Sequence, residues 1–432
     1  MGNTSSSSDE PSYYSQAKQG YAQLVNSIIR PPRCQYSEAH LGPTQFSFCG
    51  VPFLRTDFEL RNNRDMKIMC SHWEPQSSHR KSKVLPCVIY MHGNASGRVE
   101  AIHCLSMVLS LGITLLAFDF TGSGMSDGKY VSLGAFEKDD LDAVVEHLRK
   151  SGTCSTIALW GRSMGAATAL LHGCRDPSIA AMILDSPFSS LVTLAEELVE
   201  KGRKQGMFAP SLVVSLVIRW IRQSVRSEAG FDIYDLSPIE KADTCFIPAL
   251  FVAAKEDSFI PITHSQAIYS EYVGDKNIIL VDGDHSSPRP RFLFDSVSIF
   301  LVNQMAVPSE WVNAEAQRQV MLPPWRASSS GGLGLFSDVL DIFTPSGDNY
   351  ATDLNGDPFS PGGGRANRGT EPYHHGDASN RHSTRLRTAA DINVTAKRDG
   401  GVSESISGGG SGDGSGGGVN TLAGGETGMN NA

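Results

Sequence analysis

The sequence predicts an α/β fold, in which a mostly parallel, twisted sheet carries helices on both faces. Two runs with strand character, 53–60 and 66–73, flank a polar turn and predict an antiparallel hairpin. After them, short apolar strands alternate with helix-forming segments, which is typical of βαβ units with right-handed crossovers. A serine flanked by glycines, Ser163, lies between one of these strands and the helix that follows it.

The predicted elements follow one another closely along the chain. Strands are expected at 84–91, 113–118, 156–159, 179–184, 246–253 and 278–281, and helices at 99–112, 133–151, 166–171 and 291–302. The alternation stops between 185 and 244, where two further helices, 191–203 and 212–226, are predicted. Residues 212–221 are so continuously apolar that they either cap a substrate pocket or pack in the ordinary way against the sheet.

Composition divides the chain into three parts. Residues 1–43 are predicted to form an N-terminal anchor segment with an amphipathic helix, since an apolar stripe at helical spacing precedes two prolines. Residues 44–305 are expected to form the α/β domain, with a helical cap inserted at about 188–243. The remainder, 306–432, is rich in Gly and Ser, and we expect it to be mostly disordered because it has little apolar surface to offset chain entropy.

Bulk properties exclude several classes of function. The 432 residues carry a net charge of -9, which argues against a nucleic-acid partner bound through its phosphates. The eight cysteines are scattered without a C-x-x-C motif, which favours free thiols in a reducing, cytoplasmic compartment, and no metal-binding spacing occurs. We therefore predict no metal, and no apolar run is long enough for a membrane span.

The opening residues, Met-Gly-Asn-Thr-Ser-Ser, match the signal for N-myristoylation of Gly2. The alternative is a disordered, serine-rich start without lipid. A single myristoyl chain binds membranes only marginally, with an association constant of roughly 10⁴ M⁻¹. The sequence therefore predicts reversible, peripheral membrane association, and whether a second membrane signal exists stays open.

Residues 161–165 read Gly-Arg-Ser-Met-Gly, the G-x-S-x-G pattern of a nucleophile elbow. A serine on a tight strand-to-helix turn projects its hydroxyl clear of the sheet, and a side chain at either glycine would crowd that turn. The helix that follows also stabilises negative charge at its N-terminus. Ser163 is thus the candidate nucleophile.

The partners of such a serine should follow in the chain order acid and then histidine. Asp257 comes just after one predicted strand and His285 just after the next, so both are expected at the same sheet edge as Ser163. His285 would act as general base and then general acid, and Asp257 would fix its tautomer. Asp185 and Glu256 are competitors for the role of the acid.

An oxyanion hole is expected in the loop after the 84–91 strand, which reads His-Gly-Asn-Ala. A glycine there lets the backbone turn, so that the N–H of Asn94 points at the tetrahedral oxyanion. The N–H of Met164, next to the nucleophile, is the second predicted donor. We expect His92 to brace the loop rather than take part in catalysis.

Together these motifs resemble the α/β-hydrolase superfamily, in particular its serine-aminopeptidase-like (S33-type) branch. The residues that carry the resemblance are 92–95, Asp119, 122–124, 161–165, Asp257 and 283–290. It covers roughly 45–304 and implies a cofactor-free serine hydrolase that acts through an acyl-enzyme. Some membrane-attached relatives of this type remove fatty acyl groups from protein cysteines. Those relatives carry an N-terminal cysteine cluster, whereas the first cysteine here is Cys34.

The function expected from the sequence is cleavage of an ester or thioester of a hydrophobic acyl group at a membrane surface. The substrate would be an acylated small molecule, a lipid or a lipidated protein. A serine peptidase or amidase is the alternative within enzymes, and a non-catalytic scaffold with the same fold is the alternative outside them. A protein partner for the C-terminal tail is a further hypothesis.

Overall fold

The structure is a computed structural model that describes residues 13–204 and 211–327. The predicted myristoylation site, Gly2, and residues 328–432 of the predicted disordered tail lie outside the described residues. Within them, no helix is long and apolar enough to cross a membrane.

One nine-stranded sheet organises the described part of the chain, with the strand order β1-β2-β3-β5-β4-β6-β7-β8-β9. Strands β1 to β3 are antiparallel to their neighbours, and all pairs from β5 to β9 are parallel. The predicted mostly parallel sheet is therefore confirmed. The strands are β1 (Gln45–Phe48), β2 (Val51–Arg61), β3 (Lys67–Pro75), β4 (Leu85–Met91), β5 (Thr114–Phe118), β6 (Cys154–Arg162), β7 (Ala181–Asp185), β8 (Ala249–Ala254) and β9 (Lys276–Val281).

Helices cover both faces of this sheet. They are α1 (Tyr13–Ile29), α2 (Ile102–Ser110), α3 (Glu137–Ser151), α4 (Met164–Gly173), α5 (Leu191–Lys204), α6 (Ser211–Ala229), α7 (Ile262–Glu271), α8 (Arg291–Gln304), α9 (Ala314–Gln317) and α10 (Pro324–Ala327). Helices α1, α3, α4 and α6 contribute to the hydrophobic core on one face, and α2, α8 and α9 contribute to the core on the other.

The central strands are apolar along their whole length because both of their faces are covered. Every residue of β4 is buried, and successive side chains enter opposite cores. Ile89 and Met91 belong to the α4 side, whereas Val88 and Tyr90 belong to the α2 side. These continuous runs are why the strands could be predicted from the sequence.

Two helices, α5 and α6, occupy the predicted insertion between β7 and β8. Helix α1 packs against α6, with Val25 and Ile29 buried and the Tyr21 hydroxyl 2.7 Å from that of Ser224. The apolar stripe of the amphipathic helix therefore contacts the domain. Among the side chains of α6 that the structure describes, Ile218, Ile221 and Val225 are buried, whereas Leu216 and Trp220 are exposed. Ordinary packing thus accounts for only part of the apolar cluster at 212–221.

Residues beyond the predicted domain boundary at 305 pack back onto the sheet. Val307, Ala316 and Val320 are buried in the core on the α2 side, and the Trp325 ring meets Phe46 edge-on at 5.6 Å. The folded part of the chain therefore continues past 305. These apolar residues are spaced irregularly among polar ones, so they gave no periodic signal in the sequence.

Candidate active site

Ser163 lies at the sharp turn between β6 and α4, with φ +52° and ψ -115°. This conformation is uncommon for a residue with a side chain and is typical of a strained nucleophile elbow. A side chain at Gly161 would overlap the backbone of Gly165, and one at Gly165 would overlap the backbone of Met91. Gly161 thus lets the strand pass close to the start of α4, and Gly165 lets the turn approach β4 closely.

The structure brings Ser163, Asp257 and His285 together. The Ser163 Oγ lies 3.1 Å from His285 Nε2, and His285 Nδ1 lies 2.7 Å from Asp257 Oδ2. Asp257 Oδ1 accepts hydrogen bonds from the backbone N–H groups of Phe259 and Ile260, at 3.0 and 2.7 Å. Both oxygens of the Asp257 carboxylate are therefore hydrogen-bonded, which fixes the orientation of the His285 imidazole. Its Nε2 faces Ser163 and can exchange a proton with the hydroxyl.

The two competing acids have other partners. Asp185 accepts two hydrogen bonds from the guanidinium of Arg289, at 2.8 and 2.9 Å, and both side chains are almost fully buried. Burial raises the pKa of Asp185, but the charge and hydrogen bonds of Arg289 outweigh it and hold the pKa below its usual value. Glu256 accepts from the N–H of Gly283. Among the described residues, Asp257 is the carboxylate that hydrogen-bonds the imidazole of His285.

The predicted oxyanion loop lies beside the serine. A carbon added to Gly93 would be 3.8 Å from Ser163 Cβ, and the next residue, Asn94, follows directly. His92 is fully buried, with Nδ1 donating to the Gly93 carbonyl at 2.7 Å and Nε2 accepting from the Phe120 N–H at 3.1 Å. His92 thus braces the loop, as the sequence analysis expected.

Met164 is the first residue of α4. Its N–H is one of the initial amides of a helix, which have no carbonyl partner within the helix and can donate to an anion. The roles of Asn94 and Met164 as oxyanion donors stay predictions.

Two arginines lie near the triad, and the sequence did not predict their contacts. Arg162 donates to the carbonyl oxygen of His285 at 2.7 Å, and Arg289 approaches the same oxygen at 3.4 Å. Both arginines stand inside segments that the motifs already marked, next to Ser163 and four residues after His285. Their positions in the sequence indicated that they lie near the site, but the sequence did not show which atoms they contact.

The inserted helix α5 is attached to the loop that carries the acid. Lys201 Nζ donates to the carbonyl of Ser258 at 2.8 Å, and His264 Nε2 lies 3.0 Å from Glu197 Oε2. His264 Nδ1 accepts the backbone N–H of Ser189 at 3.1 Å, at the start of the insertion. The insertion is therefore hydrogen-bonded to the loop that carries Asp257.

No arrangement of His, Cys, Asp or Glu suited to a metal ion occurs in the described ranges 13–204 and 211–327. The chemistry that the geometry permits there is proton transfer along the Ser163, His285 and Asp257 hydrogen bonds.

Comparison with known proteins shows which families and proteins the chain resembles. A family model described as serine aminopeptidase, S33, matches residues 82–229. The uncharacterized protein YqkD of Bacillus subtilis is 30% identical over 203 residues, which are 46% of this chain and 64% of YqkD. The uncharacterized protein YfhR of Escherichia coli K12 is 26% identical over 49% of this chain and 66% of YfhR.

A relative with a named activity is the lysophosphatidylserine lipase ABHD12 of Danio rerio, 27% identical over 45% of this chain and 47% of that protein. Among solved structures, the esterase Pf2001 of Pyrococcus furiosus aligns with a TM-score of 0.47 and 22% identity, over 64% of this chain and 98% of the esterase. The chain thus spans less than two thirds of the length of YqkD and about half that of ABHD12. Residues 82–229 therefore resemble the serine aminopeptidase S33 branch of the α/β-hydrolases.

Proposed function

We propose that this chain is a serine hydrolase with Ser163 as nucleophile, His285 as general base and Asp257 as the orienting acid. The observation that carries the proposal is the unbroken pair of hydrogen bonds from Ser163 Oγ to His285 and from His285 to Asp257, at 3.1 and 2.7 Å. In this geometry His285 Nε2 takes the serine proton as Oγ attacks a carbonyl carbon. Asp257 holds the proton on Nδ1 and stabilises the imidazolium.

The reaction then proceeds through an acyl-enzyme. The tetrahedral intermediate places its negative oxygen at the N–H groups of Asn94 and Met164, each such donor being worth about 3 kcal/mol in the transition state. His285 returns its proton to the leaving oxygen or sulfur, and the acyl group stays on Ser163. A water molecule then repeats the attack with His285 as its base, which releases the acid and restores the serine.

The proposed substrate is an ester or thioester of a hydrophobic acyl group. The ring of Phe259 meets the imidazole of His285 edge-on at 5.3 Å, and this side chain is 42% exposed, so apolar surface adjoins the reacting atoms. ABHD12, a related protein, is named as a lysophosphatidylserine lipase. A lipid or a lipidated protein therefore suits the site as substrate.

We further propose that the enzyme works at a membrane surface. A myristoyl group on Gly2 would lie ahead of α1, which packs on α6. Leu24 of α1 is exposed, and so are Leu216 and Trp220, which lie on consecutive turns of α6. Exposed apolar residues on the surface, together with a lipid anchor, support membrane binding that a single acyl chain alone would not sustain.

The test is labelling with a fluorophosphonate probe, which reacts with activated serines. Wild-type protein is expected to label and to hydrolyse p-nitrophenyl esters and matched thioesters, with kcat/KM rising from acetyl to longer chains. Ser163→Ala should abolish labelling and lower turnover by about 10⁶-fold. The control is Ser296→Ala, which alters a half-buried serine on α8 outside the proposed triad.

Absence of labelling in wild type, or equal labelling of Ser163→Ala, would refute the nucleophile. A preference for acetyl esters would refute the hydrophobic acyl group. Faster cleavage of amides than of esters would instead support a peptidase.

A further inference from the structure

We propose that Arg162 is a positioning residue whose charge neutralises a buried carboxylate, Glu100, behind the oxyanion loop. The proposal rests on the proposed function, because it concerns how Ser163 and His285 are kept competent. It assigns a role to the second residue of the G-x-S-x-G motif.

Arg162 links the two sides of the candidate site. Its Nη2 donates to the carbonyl oxygen of His285 at 2.7 Å, and its Nη1 lies 3.7 Å from Glu100 Oε1. The Arg162 side chain is 19% exposed and the Glu100 side chain 7% exposed, so water screens this pair poorly. One guanidinium therefore contacts both the histidine loop and the helical turn that supports the oxyanion loop.

Glu100 holds the oxyanion loop from behind. Its Oε2 accepts the backbone N–H of Gly93 at 3.0 Å, and its Oε1 accepts the hydroxyl of Tyr90 at 3.0 Å. Burial raises the pKa of Glu100, but the charge of Arg162 and a hydrogen bond with Ser96 outweigh it and keep the pKa below its usual value. Glu100 is therefore ionised at neutral pH, and it accepts the N–H of Gly93, the residue before the predicted donor Asn94.

This placement creates an electrostatic conflict that Arg162 resolves. An anion behind the oxyanion hole repels the negative charge that forms on the substrate oxygen in the transition state. Glu100 is nevertheless useful in the ground state, since its hydrogen bond with Gly93 fixes the loop. The positive charge of Arg162 offsets the negative charge of Glu100 at the oxyanion hole, and the hydrogen bond from Gly93 to Glu100 is retained. The pair thus fixes the loop at little cost to catalysis.

The test compares Arg162→Met, Glu100→Gln and the double variant in the full chain. Arg162→Met leaves Glu100 uncompensated, so we expect kcat for a short ester to fall about 100-fold, the size of losing one oxyanion donor. KM should change less than about threefold, because the interaction matters mainly in the transition state. Glu100→Gln retains an acceptor for Gly93, and its loss should be smaller, at most about tenfold.

The decisive result is the double variant. With both charges removed, kcat should recover at least about tenfold over Arg162→Met alone, because the repelling anion is absent. Arg162→Lys keeps the charge and should likewise exceed Arg162→Met. The control is Arg149→Met, which removes an arginine paired with Asp176 on the outside of α3. Thermal unfolding of each variant identifies any that fails to fold.

A double variant as slow as, or slower than, Arg162→Met would overturn the proposal, as would an Arg162→Met enzyme with wild-type kcat. These outcomes differ from failure of the proposed function, in which wild-type protein would not react with fluorophosphonate. If Arg162→Met unfolds, the comparison of Arg162→Lys with Arg162→Lys/Glu100→Gln replaces it. The proposal then requires that removing the Glu100 charge does not slow the lysine variant further.

Discussion

Asp185 and Asp257 lie at the same edge of the sheet, and their different partners separate a structural role from a catalytic one. Both carboxylate oxygens of Asp185 accept hydrogen bonds from Arg289, whereas Asp257 hydrogen-bonds the imidazole of His285. A carboxylate that is already paired with a buried guanidinium is a poor partner for an imidazolium. At the scale of single residues, contact geometry therefore decides between acids that the sequence left in competition.

Replacing each acid by its amide is expected to affect different properties. Asp257→Asn should lower kcat by about 10⁴-fold, the loss known when a triad acid is replaced by its amide, with little change in unfolding free energy. Asp185→Asn leaves the buried Arg289 without a counter-charge and should cost about 3–5 kcal/mol of stability. Ester kinetics and urea unfolding measure the two effects. Asp282→Asn, at an exposed surface pair, is the control.

The reverse pattern, with kcat lost in Asp185→Asn and retained in Asp257→Asn, would show that Asp185 is the acid. Loss of kcat in both folded variants would indicate that the two carboxylates share the role.

At the scale of elements, the contact between α5 and α7 depends on one neutral imidazole. His264 is 2% exposed, and its Nδ1 accepts the N–H of Ser189, so Nε2 carries the proton shared with Glu197. A second proton on Nδ1 would face the Ser189 N–H. Burial lowers the pKa of His264, more than the nearby charges of Glu197 and Asp257 raise it.

This histidine should make stability fall on the acid side of neutrality. In the unfolded chain a histidine takes up a proton near pH 6.5, whereas the folded protein takes up that proton only at a lower pH. Stability is therefore full above about pH 6.5 and decreases as the pH falls from there towards the folded pKa. His264→Asn, which can still accept from Ser189, should reduce the fall in melting temperature between pH 7 and 5.

The control for this measurement is His79→Asn, an exposed histidine in a short turn. An unchanged pH dependence in His264→Asn would show that the α5 contact does not titrate through this residue.

Helices and strands could be predicted where the sequence has a periodic apolar pattern. Features that depend on individual side-chain contacts could not. The fully apolar runs of β4 and β8 predicted the sheet, and the order of Ser163, Asp257 and His285 predicted which loops meet. The pairing of Arg289 with Asp185 joins residues 104 positions apart and depends on side-chain direction, which no spacing encodes. Residues 307–325 pack against the core on the α2 side, although their few apolar residues follow neither strand nor helix periodicity.

At the scale of the whole molecule, membrane attachment should need both the N-terminal lipid and the apolar surface of α6. Gly2→Ala is expected to move the protein from the membrane to the soluble fraction. Trp220→Glu, in the myristoylated chain, should weaken binding to phosphatidylcholine and phosphatidylserine vesicles roughly tenfold, because a charge replaces an inserted ring. Phe292→Glu, an equally exposed aromatic on α8, is the matched control.

Unchanged fractionation of Gly2→Ala would contradict myristoylation as the anchor. Equal loss of vesicle binding in Trp220→Glu and Phe292→Glu would contradict α6 as the contacting surface.

The two ends of the described chain lie on opposite faces of the sheet, since α1 belongs to one core and residues 307–325 belong to the other. Three stacked layers of helix, sheet and helix are roughly 30 Å thick. With α1 against a bilayer, residue 327 is held at about that height above the lipid. In this proposed orientation, the thickness of the folded domain would separate residue 327 from the membrane surface.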